Sequence, residues 1–198
     1  MRTLFTCFGT IVLGAACATA QLPPFAGAKK GPTAFEKAVQ KVEATFTPVE
    51  AKPGQTVTFK LTVHLSDGYH TYPVKQTDKA AAGMVNKLTF PDPGAVIFVG
   101  ETRDPLELKS KAEPLLGIQE MLYIPGVVVY ERKAVVSPKA PAGAVTVKLP
   151  AFRISVCDKD NCYPAKTLTP EATFKVLDGP AVSVEKTFAE EVMKATGG

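Results

Sequence analysis

From about residue 44 onward the apolar positions recur every second residue. Val57, Phe59, Leu61, Val63 and Leu65 alternate with Thr58, Lys60, Thr62 and His64, the pattern of a strand with one buried face. Asp67-Gly68 then predicts a turn. The same reading gives strands over residues 85–90, 95–99, 127–137, 144–149, 152–157 and 173–177. Turn formers separate them: Pro-Asp-Pro-Gly at 91–94, Ser-Pro-Lys-Ala-Pro-Ala-Gly at 137–143, and Asp178-Gly179-Pro180.

Short strands punctuated by turns, with no long helix between them, predict an all-β domain over residues 44–178. The expected architecture is an antiparallel β-sandwich of immunoglobulin-like type. An antibody-type domain is not expected, because the chain has no Trp and its late cysteines are close neighbours. The period differs at the two ends. Phe35, Val39 and Val42 lie at i, i+4 and i+7, and Thr33 can form a capping box with Glu36, which predicts a short amphipathic helix over 33–43. It follows a lead-in at 21–32 rich in Pro, Gly and Ala. In the tail, 179–198, Val184, Phe188 and Val192 lie four apart and allow a terminal helix.

Of the 198 residues 45% are apolar and 21% charged, which excludes a disordered chain, a collagen and a bare coiled coil. Residues 1–20 read as a cleaved signal peptide: Arg2 precedes an apolar stretch from Leu4 to Ala16, which ends in Ala18-Thr19-Ala20. Export to the periplasm is therefore expected, with acylation of Cys17 as the alternative. No later segment predicts a transmembrane span. The net charge of +4 is spread over scattered bases, so nucleic acid is not an expected partner. Cys7 and Cys17 belong to the leader, which leaves Cys157 and Cys162 for the mature chain.

The stretch from Phe152 to Pro164 carries the candidate chemistry. Alternation turns Phe152, Ile154 and Val156 to the core, and Arg153, Ser155 and Cys157 the other way, at the surface or under a covering loop. Asp158, Asp160 and Asn161 are turn formers, so residues 158–161 predict a hairpin loop with the two cysteines at its base, within disulfide reach. So short a loop adds only about 2 kcal/mol on the chain-entropy model. A passive staple and a redox-active pair both remain open at this point. A metal site is not expected, since only His64 and His70 could join the cysteines, and both read as surface strand residues. Lys159 and Arg153 would favour a thiolate, whereas Asp158 and Asp160 would oppose it.

Four segments resemble the N-terminal periplasmic domain of the thiol:disulfide interchange protein DsbD: Lys52-Pro-Gly-Gln-Thr-Val57, Asp67-Gly-Tyr-His-Thr-Tyr72, residues 117–123 leading into 127–136, and Ser155-Val-Cys157 with Cys162-Tyr-Pro164. The resemblance implies an immunoglobulin-like module that passes reducing equivalents between thioredoxin-fold partners through a reversible Cys157–Cys162 disulfide, without a cofactor. It implies that Cys162 forms the mixed disulfide and Cys157 resolves it. It also implies a cap loop at 118–124, with Glu120 and Tyr123 as its acidic and aromatic positions and Met121 and Leu122 adding apolar cover. Tyr69, Tyr72 and Tyr163 would line the site. Electron donor and acceptor are expected to be separate chains, and the module a monomer. The competing expectation is a non-catalytic binding sandwich whose disulfide only pins a loop.

Overall fold

A computed structural model describes residues 31–197. The predicted leader, with Cys7 and Cys17, and the lead-in up to residue 30 lie outside the described residues. In chain order the strands are β1 (Val39–Thr47), β2 (Glu50–Ala51), β3 (Thr56–Leu65), β4 (His70–Thr71), β5 (Lys87–Thr89), β6 (Val96–Arg103), β7 (Lys109–Glu113), β8 (Ile118–Pro125), β9 (Val127–Val136), β10 (Gly143–Lys148), β11 (Ala151–Ile154), β12 (Val156–Cys157), β13 (Lys166–Leu168) and β14 (Glu171–Val176). Two short helices flank them, α1 (Ala34–Ala38) and α2 (Ala189–Thr196). The protein is all-β, and its strands form the sheets β1-β3-β9-β6, β10-β14-β2, β13-β11-β5 and β12-β4-β8-β7. Every pairing is antiparallel except β14 with β2.

Strand β3 alternates as its sequence requires, with all five predicted apolar residues buried. They meet side chains of β1, β9, β11 and β14 in one core. Phe46 anchors it, its ring 5.4 Å from Phe59, 6.4 Å from Phe98 and 5.0 Å from Phe174. Unbroken apolar runs have a different cause. Val96 and Phe98 of β6 point to this core, whereas Ile97 and Val99 meet Val135 and Val192 on the opposite side. The tail delivers that cover: α2 lays Val192 on the outer face of the sheet, and Glu191 accepts a hydrogen bond from the Gly100 N–H at 3.0 Å.

Two predicted elements end elsewhere. The 33–43 helix forms its capping box, with both Thr33 and Glu36 engaged, but stops at Ala38. Val39 instead opens β1, which pairs with β3 along nearly its whole length. Val42, Ala44 and Phe46 also fit a period of two, and as a strand this segment satisfies the backbone of β3, which a helix cannot do. The predicted 152–157 strand divides at Ser155 into β11 and β12, which belong to different sheets. The Ser155 N–H donates to the Asn86 side chain and its carbonyl accepts from the Thr71 hydroxyl, so side chains replace a strand neighbour there.

Gly54 joins the tail to the sheet. It has φ 85°, its N–H donates to the Val136 carbonyl at 2.8 Å, and the Val182 N–H donates to the adjacent Pro53 carbonyl at 2.9 Å. A Cβ at position 54 would stand 2.0 Å from the Val182 carbonyl oxygen. Gly54→Ala is therefore expected to lower unfolding stability by about 2–4 kcal/mol, read from the urea midpoint. Gly94→Ala, with open space around the new methyl group, is the control and is expected to stay within about 0.5 kcal/mol.

Candidate functional site

Cys157 ends β12, whose register sets it opposite His70 of β4. The chain then reverses: Cys157 and Cys162 form an antiparallel bridge with Cα atoms 4.0 Å apart and are joined as a disulfide. Asp158 builds the turn. One of its carboxylate oxygens accepts the N–H groups of Asp160 and Asn161 at 2.8 and 2.7 Å, and the other accepts the Tyr163 hydroxyl. That hydroxyl, helped by the two amides, holds the Asp158 carboxyl below the usual carboxylate range. The same contact pushes Tyr163 up to about 12. The turn is thus closed by the Asp158 carboxylate as well as by the S–S bond.

Strand alternation decides what surrounds the disulfide. His70 and Tyr72 share a face with Cys157, and on β8 the same face carries Met121, Tyr123 and Pro125. Cys157, Tyr72, Met121, Ile118 and Ala81 pack as a small apolar cluster of their own, joined at its margin by Met84 and Tyr123. The opposite face sends Ile124 and Val156 into the main core. The Tyr72 hydroxyl lies 3.1 Å from Cys157 Sγ and 3.3 Å from Cys162 Sγ. Disulfide sulfurs carry no hydrogen, so the hydroxyl is the donor. Burial raises its pKa, which keeps that proton in place at neutral pH.

The two cysteines differ in exposure: Cys157 is 1% exposed, whereas Cys162 is an exposed residue. Cys162 borders a cleft of about 230 Å³ with Tyr72, Met84, Met121 and Leu116, rimmed by Lys111, Glu113, Asp158, Lys159 and Asp160. A larger hollow of about 650 Å³, between the 103–109 segment and β8–β9, has no cysteine, histidine or hydroxyl side chain in its lining.

The expected cap is not a loop. Residues 118–125 are β8, the inner strand of a hairpin with β7. Its tip is a 3-10 turn, Pro114–Leu116, closed by Gly117 at φ 69°. Leu115 and Leu116 are exposed there at 101% and 60%, and Leu116 reaches the cleft. Met121 and Tyr123 face the disulfide. Leu122 and Glu120 lie outside that cluster: Gln76 grips the Leu122 backbone from both sides, and the Glu120 carboxylate accepts the Thr77 hydroxyl at 3.0 Å. Glu113 is the acidic residue that the hairpin brings to the cleft. Tyr69 packs against the main core with its ring 6.4 Å from Tyr163, beside the turn rather than in the cleft. Arg153 is exposed within β11 and outside the cleft lining, and Lys159 is paired with Asp160 at 3.0 Å. His64, half-buried, faces Glu43 at 3.2 Å, but His70 is buried instead of standing at the surface.

Beneath the site lies a polar network that strand patterning does not announce. The amide nitrogen of Asn86, 1% exposed, lies 2.7 Å from the Thr71 hydroxyl, 2.8 Å from the Tyr72 carbonyl and 2.7 Å from the Tyr130 hydroxyl, three acceptors that share its two N–H groups, and its oxygen accepts the Ser155 N–H at 2.9 Å. Tyr130 in turn donates to the Tyr72 carbonyl at 2.7 Å. One amide therefore positions both the strand bearing Tyr72 and the residue two before Cys157. The available signal is an amide in phase with Leu88 and Phe90, on the apolar face of the 85–90 segment.

Among the described residues no group of three or more His, Cys, Asp or Glu side chains could hold a metal ion, and no helix is long and apolar enough to cross a membrane. No protein-family model matches the chain, and no curated protein matches it in sequence.

Proposed function

We propose that the protein is a thiol-disulfide exchange module of the kind its sequence resembles, the N-terminal domain of DsbD, built as an immunoglobulin-like sandwich and exported to meet thioredoxin-fold partners. The observation that carries this reading is the asymmetry of the disulfide: an exposed Cys162 bonded to a buried Cys157, with one tyrosine hydroxyl beside both sulfurs. Exchange needs an attackable sulfur and a stabilised leaving group. A partner thiolate attacks Cys162 Sγ, the intermolecular S–S bond forms as the Cys157–Cys162 bond breaks, and Cys157 departs as a thiolate. The Tyr72 O–H donates to that thiolate, and a hydrogen bond to a charged sulfur is the strong kind. Return attack by Cys157 on Cys162 Sγ would release the partner thiol and restore the disulfide. A second partner thiol attacking the mixed disulfide at its partner sulfur instead leaves Cys157 and Cys162 reduced, so two electrons enter the module.

The test is trapping with a thioredoxin-fold protein that lacks its own resolving cysteine and whose remaining thiol is first activated as a mixed disulfide with 5-thio-2-nitrobenzoate, which a free thiol of the module displaces as the leaving thiolate. Cys157→Ser, which keeps the exposed sulfur, is expected to hold a mixed disulfide, and Cys162→Ser is not. Equal trapping by both variants, or by neither, rejects the assignment. The reduction potential separates exchange from stapling. A value of roughly −120 to −270 mV fits an exchange protein, and one below about −300 mV fits a staple. Tyr72→Phe is expected to slow reduction by a small dithiol about tenfold, in line with a lost hydrogen bond to a charged group.

A further inference from the structure

We propose that His70 is a positioning residue for the covered state of the disulfide: its neutral imidazole seats Tyr72 and β8 over Cys157, and its protonation loosens the β7–β8 hairpin from that face. The placement comes from the ladder. His70 sits opposite Cys157 on one side and Pro125 of β8 on the other, so it links the cysteine strand to the hairpin. Its ring meets Tyr123 edge-on at 5.1 Å and Tyr72 at 5.9 Å. The residue is 7% exposed, and its Nε2 is buried without a hydrogen-bond partner. A neutral imidazole can leave one nitrogen bare at modest cost, whereas an imidazolium presents two N–H donors and a charge that burial penalises.

No free carboxylate waits for that charge. The ionisable groups facing His70 are Lys111 and Glu113 on the hairpin, Asp158 on the cysteine turn, and the Tyr72 and Tyr123 rings. Glu113 is taken by Lys111 at 2.8 Å, and Asp158 by Tyr163 and two turn amides. Burial and then Lys111 hold the His70 imidazole below its ordinary value, outweighing Asp158 and Glu113. With the covered-state pKa depressed, the cover is fully in place above the ordinary value of 6.5 and weakens as pH falls below it. In the exchange reading, on which only its use depends, this makes the Cys157 side of the disulfide more accessible in acid.

Amide hydrogen exchange over residues 109–125 of the oxidised protein, corrected for intrinsic rates, tests the device at pH 7.5 and 5.5. Protection in the wild type is expected to fall by up to about tenfold at the lower pH, the limit for one proton one unit below the ordinary histidine value. His70→Phe is expected to change by less than about twofold. Should the Phe variant not fold, His70→Gln takes its place, and the imidazole of the wild type can be titrated by NMR in any case. An equal fall in both proteins, no fall in the wild type, or titration of His70 at or above 6.5 overturns the proposal. Partner trapping plays no part in this measurement, so its failure would reject the exchange reading alone.

Discussion

Fully reduced protein exposed to a trace of iodoacetamide is expected to be labelled on Cys162 at least about a hundredfold faster than on Cys157, because a buried thiol reacts only through local opening. Cys157 sits under Tyr72 and Met121 with its strand paired to β4, so opening means parting the hairpin from a packed apolar cluster. Cys162 needs no such motion, since it lies past the turn at the edge of an open cleft. The readout is mass spectrometry of the two cysteine peptides against time. Comparable rates would mean that the cover departs on reduction and that burial does not choose the attacked sulfur. Exposure would then give Cys162 no preference as the attacked sulfur, whatever the reduction potential.

Asn86→Leu is expected to cost about 3–5 kcal/mol, a loss on the scale of breaking a buried hydrogen-bond network. The leucine has the same branched skeleton with bulkier methyl groups, so no cavity opens and the loss comes from polar groups left unpaired and from the tighter fit. The Ser155 N–H loses its acceptor, and Thr71, Tyr72 and Tyr130 lose a donor, all within a buried region. The Tyr130 hydroxyl shows how dry that region is: burial drives its pKa far above the ordinary tyrosine range, even though the Asn86 hydrogen bond opposes the rise. Urea unfolding measures the loss, and a change of under about 1 kcal/mol would show that water replaces the amide. The same variant is expected to blunt the difference between the two cysteines, since Asn86 holds the backbone of both Tyr72 and Ser155.

The legible parts of this protein share one property, a local signal that no partner contradicts. The alternation of β3, the Asp67-Gly68 turn, the Thr33–Glu36 capping box and the turn at 158–161 each depend on a few neighbouring residues. Where two local readings competed, the sheet chose. Val39 and Val42 suit a helix face as well as a strand, and β3 offered a ladder. The β7 half of the β7–β8 hairpin carries no local strand signal, because Lys109-Ser-Lys-Ala-Glu113 has no apolar alternation. It is a strand on the strength of its partner alone.

The site divides along the same line. The amino-acid order by itself determined that two cysteines would meet across a tight turn, that an apolar strand would precede them, and that a Tyr-rich segment would follow the β3 turn. These follow from spacing and turn chemistry, which act over a few residues. Tertiary structure alone decided that Cys157 is buried and Cys162 open, that Met121 and Tyr123 rather than Glu120 and Leu122 face the disulfide, that Glu113 is the acid at the cleft, and that His70 is enclosed between two tyrosines. The physical reason is register. A shift of one residue reverses every side chain on a strand, and the register of β8 is set by its partners β4 and β7, with Gln76 and Asp78 gripping its backbone from a distant loop.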